Sequence, residues 1–300
     1  MTRVHILLAT HNGAAFLQEQ LQSYLGQCHQ DWALWVSDDA STDETRDILH
    51  TFQKAHPGRE IRIMPGPNQG LFANFMYLLR HPDLPSGFVA LSDQDDVWLP
   101  QRLTRALDAL APCYGDAFYC STRILTDARL RPLSPKPPAP LPPASFQNAL
   151  VQNVAAGNTI MLNPKALRRL RNDPEPPCSL PYHDWWIYLR LMSADAALVC
   201  DAMPGLLYRQ HDHNFLGHRK TQRWARLRAL LDGTYGAWVT RNAHALLCLR
   251  PDSLSPAHRQ AAEILLSHPS RLQALRQSKA RRSDRIGQLM LPLLAVLNRL

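Results

Sequence analysis

Short strand-like runs alternate with helix-spaced segments through the first 110 residues, and polar or glycine-rich turns follow each run. Val4–Ala9, Trp32–Val36, Ile61–Met64 and Phe88–Leu91 have the length and composition of strands. Between them, Ala14–Leu25, Thr45–Phe52 and Leu71–Leu79 are read as helices. The first carries Phe16, Leu17, Leu21, Tyr24 and Leu25 at helical spacing. Ser41-Thr42-Asp43-Glu44 supplies cap candidates for the second. Such alternation predicts an α/β chain, a mostly parallel sheet flanked by helices. Ligands on these sheets bind outside the carboxyl ends of the strands. Thr10-His11-Asn12, Asp38-Asp39, Gly66 to Gly70 with Asn68 between them, and Asp93 to Asp95 are therefore expected to converge on one crevice.

The run Ser92-Asp93-Gln94-Asp95-Asp96-Val97-Trp98 puts three carboxylates at one strand end. Like charges so close repel, and a divalent cation among them relieves the repulsion. Hard oxygen ligands suit Mg²⁺ or Mn²⁺, ions that commonly hold phosphates. The competing reading is a solvated acidic turn before a helix starting near Leu99-Pro100. On that view Asp96 is a helix cap, and Asp38 belongs to the turn before the second helix. Neither a Gly-x-Gly-x-x-Gly loop nor a glycine–lysine P-loop is present, which argues against dinucleotide and P-loop sites.

Charge separates the chain into two parts. Residues 219–300 hold 15 Lys and Arg against 4 Asp and Glu, whereas residues 1–218 hold 18 against 21. A near-neutral body with a basic tail is expected, divided between residues 217 and 218. No apolar run approaches the roughly 20 residues that span a bilayer. Met1 to Leu8 reads as a first strand rather than a signal peptide. Six scattered cysteines with no Cys-x-x-Cys pair favour free thiols in a reducing compartment, so a cytoplasmic location is expected. Arg131–Pro143 is proline-rich and reads as an extended surface connection. Ala149–Ala156 and Thr159–Leu162 are apolar segments around Gly157-Asn158. Asp184–Met192 reads as a helix; Ala197–Cys200 and Leu206–Tyr208 read as two strands. Beyond His218 the pattern is helical, with breaks expected at Pro251, Pro256, Pro269 and Pro292.

Thr10-His11-Asn12-Gly13, Ser37-Asp38-Asp39-Ala40-Ser41-Thr42-Asp43, Asp93-Gln94-Asp95-Asp96-Val97-Trp98, His183-Asp184-Trp185-Trp186 and Tyr208-Arg209-Gln210-His211 follow one another in a fixed order. Together they resemble glycosyltransferase family 2, the inverting nucleotide-sugar transferases of the GT-A fold. The likeness is greatest to the bacterial rhamnosyltransferases of cell-surface polysaccharide synthesis, and it covers roughly residues 3–217. It implies a metal-dependent enzyme using Mg²⁺ or Mn²⁺ and a dTDP- or UDP-sugar donor, with dTDP-L-rhamnose first. The implied acceptor is a hydroxyl of a glycan or lipid-linked glycan. By the same resemblance Asp39 meets the nucleotide base, Thr10 and Asn12 lie against the nucleoside, and Asp93 sits near the ribose. Asn68 and Gly70, on the loop after the third strand, are grouped with these nucleotide contacts. Asp95 is the implied metal ligand, His211 a second contact to metal or diphosphate, and Asp184 the catalytic base. Gly157 and Asn158 are implied to border the acceptor, with Asn158 where the rhamnosyltransferases often carry Cys. Trp185 and Trp186 offer aromatic faces for a sugar ring, with one of the pair expected in the core. Asp212 stands after His211 where the family usually carries a small residue, and His213 is read as a bystander.

A nucleotidyltransferase would want basic residues in the loop after the first strand, and Thr10-His11-Asn12-Gly13 has no Lys or Arg. A non-catalytic sugar or nucleotide binder would not need both Asp95 and Asp184. Nucleic acid is not an expected partner, since the tail lacks the aromatic–basic interleaving of single-strand binders. Trp224–Leu231 mixes basic and apolar residues, and Arg281-Arg282-Ser283-Asp284-Arg285 precedes an apolar stretch from Leu289 to Leu297. This tail is read either as a helical bundle or self-association surface, or as a peripheral contact with the cytoplasmic membrane face.

Overall fold

A computed structural model describes residues 2–177, 180–211, 228–229 and 232–300. Its elements run β1 (Val4–Thr10), α1 (Ala14–Leu25), β2 (Trp32–Asp38), α2 (Thr45–Ala55), β3 (Ile61–Pro65), α3 (Leu71–Arg80), β4 (Phe88–Ser92), β5 (Val97–Trp98) and α4 (Arg102–Leu110). There follow β6 (Ala117–Thr126), α5 (Phe146–Ala149), β7 (Met161–Leu162), α6 (Pro164–Asn172), α7 (His183–Ser193) and β8 (Ala197–Arg209). The C-terminal helices are α8 (Thr234–Leu247), α9 (Pro256–Ser267), α10 (Arg271–Ser278) and α11 (Arg285–Val296).

The strands form one sheet in the order β3-β2-β1-β4-β7-β6-β8-β5. β1 pairs in parallel with β2 on one side and β4 on the other. Every residue of β1 and β2 is buried, because helices cover both faces of a parallel sheet. Register then fixes the site. Thr10 pairs with Asp38, Asp38 with Pro65, and Leu8 with Ser92, so the polar ends of β1 to β4 leave the sheet along one edge. The winding direction reverses between β1 and β4, which makes the gap above them the switch point where such sheets bind ligands. Below that edge, Ile6 and Leu8 pack with Leu17, Leu21 and Tyr24 of α1 and with Val36.

The first four strands and three helices lie where their periodicity puts them. β8 differs: it is one 13-residue strand in place of two short ones. Two shifts of its register against β6, at Ser121/Thr122 and Thr122/Ile124, absorb the irregular Asp201–Gly205 stretch. A Cβ on Gly205 would lie 2.5 Å from Ser121 Oγ, so glycine lets the strands stay paired there. Val97-Trp98 forms the short strand β5 on β8, which delays the next helix to Arg102. Pro292 lies inside α11 and does not end it. Buried Leu291, Leu294 and Ala295 hold the helix on either side of the ring, offsetting the missing backbone donor.

The chain divides into two compact units. The first comprises Met1–Leu141, Ala155–Asn172 and Ala197–Arg209, and so holds the whole sheet. The second gathers Pro142–Val154, Asp173–Ala196 and Gln210–Leu300. Within it, Trp185 Nε1 of α7 donates to Ala149 O at 2.8 Å and Tyr188 Oη to Asn148 Oδ1 at 2.9 Å. The buried Arg190 guanidinium is neutralised by Asp173 through bonds of 2.6 and 2.9 Å. The expected boundary at 217/218, together with Asp212, His213 and all of Trp224–Leu231 except residues 228 and 229, lies outside the described residues. No helix of the described residues is long and apolar enough to cross a membrane.

Candidate active site

The turn after β1 is held by the turn after β2. The main-chain N–H groups of Asn12, Gly13 and Ala14 donate to Ser41 Oγ, Thr45 Oγ1 and Asp43 Oδ2 at 2.8, 2.8 and 3.0 Å. Ser41 and Asp43, expected to cap α2, and Thr45 at its first position therefore satisfy the donors leading into α1, whose own N-cap, Gly13, has no side chain to do it. Asn12, at φ 48°, accepts from Thr42 N at 2.8 Å. Asp38 is buried and accepts from Thr10 Oγ1 at 2.9 Å, Ser41 N at 3.0 Å, Ser41 Oγ at 2.5 Å and Arg46 Nε at 2.6 Å. Burial alone would raise this carboxyl. The bonds from Ser41, Arg46 and Thr10 outweigh it and hold Asp38 below its ordinary value. As expected, Asp38 serves the turn.

Asp39 organises the loop after β3. Its two carboxylate oxygens accept from Asn68 N at 2.6 Å and Gly70 N at 2.8 Å. Gly70 sits at φ 86°, a conformation that glycine adopts without strain. A Cβ on Gly66 would lie 2.9 Å from Asn74 Oδ1 and 3.0 Å from Asp39 Oδ1. Buried Asn74 bridges the strand ends beneath, donating to Ser37 O at 3.0 Å and Thr10 O at 3.4 Å. Thr10, Asn12, Asp39, Asn68 and Gly70, chosen from sequence as one group, are thus tied to one another through these two turns.

At the end of β4, Asp93, Asp95 and Asp96 each offer a carboxylate oxygen, and these atoms lie within 4.8 Å of one another. Gln94, between them, clips this turn to the first strand. Its Oε1 accepts from His11 N at 2.8 Å and its Nε2 donates to His11 O at 2.9 Å. Gly13 leaves room for it, since a Cβ there would stand 2.3 Å from Gln94 Oε1. An all-carboxylate donor set of this size fits Mg²⁺ or Mn²⁺.

Asp96 corrects the sequence reading. Gln101 is the N-cap of α4, and Asp96 instead is fully buried under the turn. Its Oδ2 accepts from Asn158 Nδ2 at 2.6 Å and its Oδ1 from Arg209 N at 3.3 Å. Burial first, then the charges of Asp95 and Asp93, push its carboxyl well above the usual range. Asn158 is corrected with it. This side chain, expected beside the acceptor, is buried in the short helical turn Gly157–Thr159 and spent on Asp96, with Arg123 Nη1 donating to its Oδ1 at 3.3 Å. Gly157 is buried in the same turn. Arg209 supports the turn from β8. Its fork donates to Asp95 O at 2.9 Å, Ala128 O at 2.5 Å and Glu19 Oε2 at 2.9 Å, and its guanidinium lies 4.5 Å from the Phe16 ring centre.

Asp184 and His211 belong to the second unit. Asp184 is half-buried in the first turn of α7, where its Oδ1 accepts from Trp185 N at 2.7 Å. Its neighbour His183 is buried, and burial pulls the imidazole down to about 4, so it is neutral at pH 7. Trp185 and Trp186 are 4% and 3% exposed. Both are core residues, which removes them as open platforms for a sugar ring; the indole of Trp185 also stacks on Tyr235, centroids 6.4 Å apart. His211 follows β8 by two residues and is half-buried. The sequence assigned no supporting role to His11, Gln94, Asn74, Arg123 or Arg209, and Ser41 only that of a cap candidate. His11, Ser41, Gln94 and Arg209 lie inside the ordered motifs, and that adjacency was the available signal.

Residues 5–168 match glycosyl transferase family 2, and the chain belongs to that family. It is a glycosyltransferase with a GT-A-like fold. The dTDP-rhamnosyl transferase RfbG of Shigella flexneri is 30% identical over 251 residues, covering 80% of this chain and 84% of the relative. Among solved structures, S. aureus TarS in complex with UDP-GlcNAc aligns with a TM-score of 0.61 at 12% identity, over 99% of this chain and 80% of that one. The mannosyltransferase PcManGT of Pyrobaculum calidifontis, in complex with GDP-Man and Mn²⁺, aligns with a TM-score of 0.56 at 18% identity, over 99% and 87% of the two chains.

Proposed function

We propose that the protein transfers L-rhamnose from dTDP-L-rhamnose to a hydroxyl of a glycan or lipid-linked glycan, with inversion at the anomeric carbon. The observation that carries this reading is the acidic turn, three carboxylates converging at the switch point of the sheet. The similarity to RfbG, a dTDP-rhamnosyl transferase, favours rhamnose over other sugars. Asp39 keeps lone pairs beyond those given to Asn68 and Gly70, and they would accept the thymine N3–H. Thr10 and Asn12 shape the wall against the nucleoside, and Asp93 faces the ribose. Asp95, in that acidic turn, would hold Mg²⁺ or Mn²⁺. When bound, that ion supplies positive charge against the diphosphate.

Asp184 acts as the base in this reading. It takes the proton of the acceptor hydroxyl as that oxygen bonds to the anomeric carbon and the bond to the diphosphate oxygen breaks on the opposite face. The nucleoside diphosphate leaves with the electron pair. Such a base contributes roughly 10²–10⁴-fold. The Asp184→Asn variant should lose transfer by about that factor while binding dTDP as the parent does, followed by release of dTDP in the presence of acceptor. Full turnover by this variant would refute the assignment. A donor screen that found UDP-sugars used and dTDP-L-rhamnose ignored would refute the choice of sugar.

A further inference from the structure

α11 is apolar on two opposite sides. Leu291, Leu294 and Ala295 are buried, whereas Ile286, Leu289, Leu293, Val296 and Leu297 expose 78, 78, 48, 68 and 53% of their surface. At 3.6 residues per turn these five fall within an arc of about 100°, a continuous aliphatic stripe. A helix that only seals a core places polar residues on that side.

The surroundings of the stripe are basic. Residues 279–300 hold Lys279, Arg281, Arg282, Arg285 and Arg299 against one acid, Asp284. That acid is committed: it caps α11 by accepting from Gly287 N at 2.6 Å and pairs with Arg282 at 2.9 Å. Lys279, Arg281, Arg285 and Arg299 are exposed.

These features choose between occupants. A twofold pairing with a second copy would bring the same cations face to face. A helix of 12 residues is too short to span a bilayer. An anionic bilayer surface fits both properties at once, with aliphatic side chains entering the acyl boundary and arginines meeting headgroup phosphates. We propose that α11 lies flat on an anionic membrane, stripe down, and holds the enzyme there. This goes beyond the transferase reading and does not depend on the donor.

The test is flotation of the full chain with phosphatidylcholine vesicles containing about 30% phosphatidylglycerol. The protein should float at about 0.1 M salt, and its bound fraction should fall about tenfold at about 1 M salt or on vesicles without the anionic lipid. The double variant Leu289→Asp, Leu293→Asp should bind about tenfold less or weaker still, with an unchanged thermal midpoint and unchanged dTDP binding, because both side chains are exposed. Arg285→Glu, which keeps the stripe, should show a smaller loss. Parent protein left at the bottom of the gradient, or a double variant that floats like the parent, overturns the proposal. So does light scattering that shows a dimer dissolved by the double variant, which would make the stripe a self-association surface. The unchanged dTDP binding separates failure here from failure of the donor assignment.

Discussion

Two acidic turns leave the same edge of the sheet and behave in opposite ways. After β2, Asp38 is surrounded by donors from Thr10, Ser41 and Arg46, and its proton affinity falls. After β4, Asp96 shares its space with Asp95 and Asp93, and its proton affinity rises. Burial pushes both carboxyls upward. At Asp38 the donors outweigh it; at Asp96 burial leads and the neighbouring carboxylates add to it. The first turn carries its compensation within the protein and serves as rigid framework. The second gathers like charges at the point where the sheet's topology binds ligands, which is where an added cation gains most.

Four substitutions break or sharpen this contrast. Asp95→Ala should cost the largest amount, lowering Mn²⁺-supported sugar transfer by about 10³-fold with the fold retained. Activity within a factor of about three of the parent, measured as dTDP release, would place the cation's role elsewhere. Arg209→Met comes next. It strands the Asp95 and Ala128 carbonyl oxygens, and should cost about 3 kcal/mol in urea unfolding. A loss below about 1 kcal/mol would mean that Arg209 does not brace the turn.

Asp38→Asn should cost about 1–2 kcal/mol at pH 7. Its pH dependence follows from sign. The folded carboxyl lies below the unfolded value of about 3.9, so its stabilisation is complete above that value and disappears as pH falls through the folded one. The gap between parent and variant should therefore close in acid, and a gap that stayed constant down to about pH 2.5 would contradict the origin assigned to it. Gly13→Ala should cost the least, about 1 kcal/mol, because its methyl displaces a flexible Gln94 amide instead of backbone. Combined with Gln94→Ala the two losses should be less than additive, since both remove the same clip on His11. Strict additivity would show that Gly13 matters for another reason.

The sequence made the framework readable where one local rule sufficed. Strand and helix periods placed β1 to β4 and α1 to α3, and parallel pairing then brought Thr10, Asp38 and the acidic turn to one edge. It was unreadable where the outcome depends on distant partners. A buried aspartate and a helix-capping aspartate look alike in sequence, so the role of Asp96 had to wait for Asn158, 62 residues away. The same holds for Arg209, a core arginine whose acceptors come from three separate segments. Trp185 and Trp186 carry no mark that both are buried rather than one. Pro204-Gly205 looks like a strand end, yet register shifts against β6 carry β8 through it.

Thermal unfolding with dTDP tests the contrast between the turns most directly. Ligand that binds the native state raises the midpoint by mass action. In the parent, dTDP should raise it several degrees more with Mn²⁺ than with EDTA; Asp95→Ala should show no Mn²⁺-dependent increment; Asp38→Asn, starting from a lower midpoint, should keep the parent's increment. Equal dTDP shifts in Mn²⁺ and EDTA, or an increment preserved in Asp95→Ala and lost in Asp38→Asn, would contradict the assignment of the cation to the turn after β4.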